Sequence, residues 1–274
     1  MVSIIWRGFL KHDSNKIEFL LNEIYKRYHK PEYINPDPLV FVKKYNKLKD
    51  REIAGLIASS LALGQVNLIM NAVDKVLSEF NSIFNEIKSL KHKDFEKMFE
   101  GFCYRFFKTS HIAGFLSGIS FMINKYGSVG DCFRKKYKAE DSYINAIHSF
   151  NREFLENCLS NPGILITESW KGSPFKRFNL FLRWMARCDE IDPGGWDFID
   201  KSKLIVPLDT HMMQIGAYLG FIEKPSSSLK KAIAITEGLR KYDKLDPVRF
   251  DFSLTRLGIH PDLTMETLKK LIKN

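Results

Sequence analysis

The sequence predicts an all-α protein, and three observations carry that expectation. Apolar residues recur at intervals of three and four, the spacing of a buried helix stripe. Helix-start and helix-stop residues punctuate the periodic segments. The one β-branched run, Ile164-Leu-Ile-Thr167, could be extended but is too brief to imply a sheet.

Taken in order, a first helix is expected around Ile17 to Tyr28. It is separated from the rest by Pro31 to Pro38, whose three prolines block helix continuation and mark a linker. The clearest periodicity runs from Ile53 to Phe80, with Gly64 breaking it beside Gln65-Val-Asn67. Two helices should therefore meet at a short turn with an exposed Gln65. Between Lys91 and Glu140, basic residues alternate with Phe95, Phe99, Phe102, Tyr104, Phe106 and Phe107. Such aromatics can stack bases, but at helical spacing they fill a core more often, and no chemistry is assigned to them. Gly127 to Asp131 reads as a loop, Tyr143 to Cys158 as a helix and Ser160-Asn-Pro-Gly163 as the next break.

The segment Lys171 to Arg187 holds five basic residues and no acidic one. Ser173 is a good N-cap and Pro174 a good first helical residue, so a helix should begin there. Its free N–H groups and positive dipole end suit a phosphate. Within it Phe178, Phe181, Leu182 and Met185 form a packing stripe, while Lys176, Arg183 and Arg187 fall on another side. Further on, Pro207 breaks an apolar run, Asp209 stands as N-cap of a helix through Met212, Ile215 and Tyr218, and Gly220 closes it. An N-cap carboxylate can simply satisfy the first N–H groups, or it can stabilise a developing cation.

Composition narrows the class. The chain has 274 residues and a formal net charge of +10, which makes nucleic acid the first partner to test, although a Lys-rich solvated face has the same signature. Cys103, Cys132, Cys158 and Cys188 are dispersed with no C-x-x-C pair, arguing against a structural zinc or an iron-sulfur cluster and for no cofactor. No stretch is long and apolar enough for a membrane, and no leader pattern opens the chain. A cytoplasmic, nucleoid-associated monomer is expected.

Gly172-Ser-Pro-Phe-Lys176-Arg-Phe-Asn179, followed by Val206-Pro-Leu-Asp209-Thr-His211, resembles the helix-hairpin-helix, Gly/Pro-rich loop and aspartate signature of the DNA glycosylases and AP lyases related to endonuclease III. The likeness extends through Leu61-Ala-Leu-Gly-Gln65 and Arg249 to Gly258. The runs around Asn179 and Asp209 are similar to a bacterial branch of that superfamily known as a domain of unknown function. Three features depart from endonuclease III: Pro174 replaces the second hairpin glycine, Lys176 and Asp209 stand 33 residues apart, a long spacing seen in archaeal 8-oxoguanine glycosylases, and no cysteine follows Cys188 to build an iron-sulfur loop.

The resemblance implies two helical lobes with an interlobe cleft, one lobe from residues 51–187 and the other joining 1–50 with 188–274. It implies Lys176 as Schiff-base nucleophile and Asp209 as its acid partner. Attack requires a neutral amine, which partial burial and neighbouring Arg177 and Arg183 would favour. Gly172, Ser173, Arg177, Arg183, Arg187 and Gln65 are the expected contacts to damaged duplex DNA. Trp170, Phe175, Trp184 and His211 could stack on or hydrogen-bond a flipped base, though tryptophans in apolar helices are core residues more often. The expected activity is excision of a damaged base, 8-oxoguanine being one candidate, with AP lyase cleavage. The rival is a non-catalytic helix-hairpin-helix protein that binds DNA or RNA.

Overall fold

In the computed structural model, which describes residues 13–167 and 173–259, helix α1 (Ser14–Tyr28) opens on Asp13, whose carboxylate accepts from Asn15 N. Pro31 to Pro38 stops it as expected, leaving a 3₁₀ turn at Pro31–Tyr33 and then the short α2 (Leu39–Lys43). The long periodic segment resolves into α3 (Leu48–Leu61) and α4 (Val66–Leu77), joined where Gly64 adopts φ +118° and Gln65 stays exposed.

Helices α5 (Ile83–Ser89) and α6 (His92–Met98) lead to a hairpin that periodicity does not reveal. Its strands β1 (Cys103–Tyr104) and β2 (Phe107–Lys108) pair antiparallel over two residues each. The aromatics here fill the core: Phe95, Phe99, Phe102, Tyr104 and Phe107 are buried, and Phe106 alone of that set is exposed. Helix α7 (Thr109–Tyr126) ends at Gly127, and the next helix, α8 (Val129–Ala139), follows at once from the Ser128 N-cap. The expected loop is therefore two residues long. Helix α9 (Tyr143–Glu156) comes next. The run at Ile164 is not extended, because Gly163–Leu165 forms a 3₁₀ turn.

The remaining helices are α10 (Lys176–Ala186), α11 (Thr210–Tyr218), α12 (Leu229–Arg240) and α13 (Asp251–Ile259). Among the described residues none of the helices is long and apolar enough to cross a membrane. Two packings position the site. Helix α10 lies against α3, where Gly55 leaves room for Phe181 and Met185, and α13 lies between α1 and α11. Buried Glu52 of α3 accepts from Gly130 N at 3.1 Å and Trp196 Nε1 at 2.7 Å, tying α3 to α8 and to the connection after α10.

Candidate active site

Helix α10 starts two residues later than its sequence suggests. Ser173 Oγ accepts from Phe175 N at 3.4 Å, while Phe175 itself is the N-cap, with φ +48° and no side-chain cap bond. A non-glycine residue in the left-handed region costs about 1–2 kcal/mol. Burial of the Phe175 ring, which meets His148 edge-on with centroids 5.1 Å apart, offsets that cost. The result places Lys176 at the first helical position, half-buried, beside N–H groups that the helix itself cannot satisfy.

Lys176 borders a cavity of about 350 Å³ whose wall also includes Gln65, Asp209 and His211. Asp209 reaches it as the N-cap of α11, its Oδ1 accepting from Met212 N at 2.7 Å. His211, two residues further, enters because Gly258 has no side chain: a Cβ there would lie 2.0 Å from His211 Nδ1. Lys176 and Asp209 face the same cavity, and neither has an ion-pair partner among the described residues. Gln65, Lys176 and the Asp209–His211 pair, far apart in sequence, are thus brought together.

Other expected contacts are not where a DNA backbone can reach them. Arg183 and Arg187 are 3% and 2% exposed. Arg183 pairs with Asp192 at 3.1 Å and Asp251 at 2.5 Å; Arg187 pairs with Asp192 at 2.8 Å and also with Asp189 and Asp246. Burial opposes both cationic forms, but the surrounding carboxylates outweigh it and raise both guanidinium pKa values. These arginines are internal ties between α10, the loop after it and α13, and the DNA-contact assignment is corrected for both. Arg177 is turned inward as well. Its Nη1 donates to the Ser60 carbonyl at 2.8 Å and its Nη2 to the Ile164 carbonyl and Thr167 Oγ1, with burial lowering it to about 10.

The aromatic candidates divide similarly. Trp184 is fully buried in the core, which removes it from any base pocket. Phe175 lines a second, smaller cavity of about 170 Å³ that Lys176 also borders. Trp170 and Gly172 lie outside the described residues.

Sequence reasoning missed the acid and base groups that complete the main cavity. Asp37 lines it paired with Arg256 at 2.8 Å, and Asp251 lines it paired with Arg183. One signal was present: Asp251 stands between Phe250 and Phe252, and an acid in such a setting is seldom buried without a partner. Burial raises Asp251 to about 6, with Arg183 lowering it and the Asp209 charge adding to the rise.

No solved structure matches the chain. Over 100 residues, 36% of this chain, it is 25% identical to serine hydroxymethyltransferase of Chlamydia pneumoniae, and spans 19% of that relative's length. A family model covers far more, residues 37–260, including Gln65, Lys176, Asp209 and Asp251, and the chain belongs to that family, described as Protein of unknown function (DUF2400).

Proposed function

We propose that this protein is a DNA repair glycosylase that excises a damaged base, an oxidised purine such as 8-oxoguanine being one candidate, and then cleaves the abasic site as a lyase. The observation that carries the reading is the placement of Lys176 and Asp209 on one cavity with no ion-pair partner for either among the described residues. A lysine kept only for structure would be expected to snorkel to solvent or to pair with an acid.

The chemistry follows from those two groups. The extruded nucleotide enters the cavity, with Gln65 at its edge holding the vacated space. The Lys176 amine, having lost a proton, forms a bond to C1′ as the glycosidic bond breaks and the base departs with the electron pair. Asp209, ionised, stabilises positive charge developing on the sugar and accepts the proton that the new C–N bond releases. Ring opening gives a Schiff base, loss of a C2′ proton expels the 3′ phosphate, and water regenerates Lys176. As written the reaction uses no cofactor or cluster.

With Arg177, Arg183 and Arg187 committed internally, the phosphate grip falls to the uncapped N-terminal N–H groups of α10 beside Ser173. The division into residues 51–187 and the joined 1–50 and 188–274 belongs to the same proposal, supported by the packing of α1 on α13. Borohydride reduction in the presence of an abasic duplex tests the reading. It should trap a covalent complex that Lys176→Gln abolishes; a wild-type protein that traps nothing would refute the lyase activity.

A further inference from the structure

Beyond Lys176 and Asp209, the main cavity holds a third acid whose hydrogen bonding is incomplete. Asp251 opens α13, is 2% exposed and lines the cavity. Its Oδ2 accepts from Arg183 Nη1, while its Oδ1 has no donor among the described residues. Buried carboxylate oxygens are seldom left in that state, because each lost hydrogen bond to a charged group is costly.

No neighbouring side chain among the described residues donates to Oδ1. Arg256 gives Nη1 to the Tyr33 carbonyl and Nη2 to Asp37, while the Thr255 hydroxyl returns to the carbonyls of its own helix at Asp251 and Phe252. Arg183 serves Asp192 and Asp251. Arg183 Nη2 and Arg256 Nε also lack a hydrogen-bond partner among the described residues, so the wall is mixed in character, with Asp251 Oδ1 as an unpaired acceptor in it. An occupant that pairs Asp251 Oδ1 must present a donor at that point. The volume, about 350 Å³, lies at the small end of the roughly 300–1,000 Å³ typical of small-molecule sites.

Resting on the base-extruding reading above, we propose that Asp251 reads the Watson–Crick edge of the extruded base and selects guanine-type purines. A guanine-type edge carries N1–H beside a 2-amino group, two adjacent donors that a carboxylate with a free oxygen can accept. An adenine-type edge turns the N1 lone pair toward that carboxylate, where two acceptors face each other without a proton. A site built to receive a donor rejects the analogue that lacks it, because its own buried acceptor is then left unpaired.

The test compares duplexes holding a single 8-oxoguanine, a single 8-oxoadenine or a preformed abasic site, which differ on the edge in question or lack a base altogether. Wild-type protein should release 8-oxoguanine at least ~100-fold faster than 8-oxoadenine. In Asp251→Asn, 8-oxoguanine release should fall at least ~30-fold further than cleavage of the preformed abasic site, since an amide presents a donor where an acceptor is needed. Equal loss on both substrates would make Asp251 only a tie for Arg183 and overturn the inference, as would an unchanged rate of base release. A wild-type protein that cleaves abasic DNA but does not prefer 8-oxoguanine over 8-oxoadenine would overturn it while leaving the lyase reading intact. Failure to cleave or trap abasic DNA would instead remove the reading on which it rests.

Discussion

The two ends of α10 carry similar charge and have opposite fates. At its first turn Lys176 stands half-buried on a cavity, without a partner acid among the described residues. About two and three turns later Arg183 and Arg187 are buried among Asp189, Asp192, Asp246 and Asp251. In the sequence both ends belong to one acid-free basic stretch. The contrast teaches that a run of like charges says nothing about where its counter-ions sit, because all four aspartates come from later in the chain. On this helix, what remains chemically available is Lys176, which has no ion-pair partner among the described residues.

Substitutions can break this contrast. The largest expected effect is at Lys176: Lys176→Gln should abolish covalent trapping yet change unfolding free energy by no more than ~0.5 kcal/mol, as for a substitution outside the core. Arg187→Ala should do the reverse. Leaving Asp189, Asp192 and Asp246 without their shared cation should lower stability by ~3–5 kcal/mol in urea unfolding. The slope of DNA affinity against salt, which moves by roughly one per phosphate contact removed, should stay as in wild type. A reduced slope in a folded Arg187 variant would return that residue to the DNA interface.

Asp209→Asn sharpens the contrast within the cavity. Asparagine caps a helix about as well as aspartate, so stability should hold, while single-turnover cleavage of an abasic duplex should fall ~10²-fold or more. A smaller effect is expected from pH. Asp251, raised to about 6 chiefly by burial, is ionised above that value and becomes a neutral acid below it. Its free oxygen accepts best when charged, so the ratio of 8-oxoguanine release to abasic-site cleavage should fall as pH drops through about 6. The Asp251→Asn ratio should show no such step.

Much of this arrangement was legible in local sequence. The three-and-four spacing gave α3 and α4, Gly64 gave their break with Gln65 exposed, and Asp209 followed by Met212 gave the N-cap of α11. These features depend on residues a turn apart. The start of α10 was misread because Ser173-Pro174 is a good helix opening by composition, whereas the chain makes a left-handed turn at Phe175 first, stabilised by burial of its ring. The hairpin at β1 and β2 is too short for a period to register. The pairing of Arg183 with Asp251, and the inward turn of Arg177 to Ser60, depend on packing between distant helices, and nothing in the local pattern encodes them.

The central claim is that Lys176 is the amine that attacks C1′ in this cavity. Borohydride trapping on an abasic duplex, followed by digestion and mass spectrometry of the cross-linked peptide, tests it most directly. The account predicts one adduct, on the peptide containing Lys176; an adduct on another lysine, or none, would contradict it.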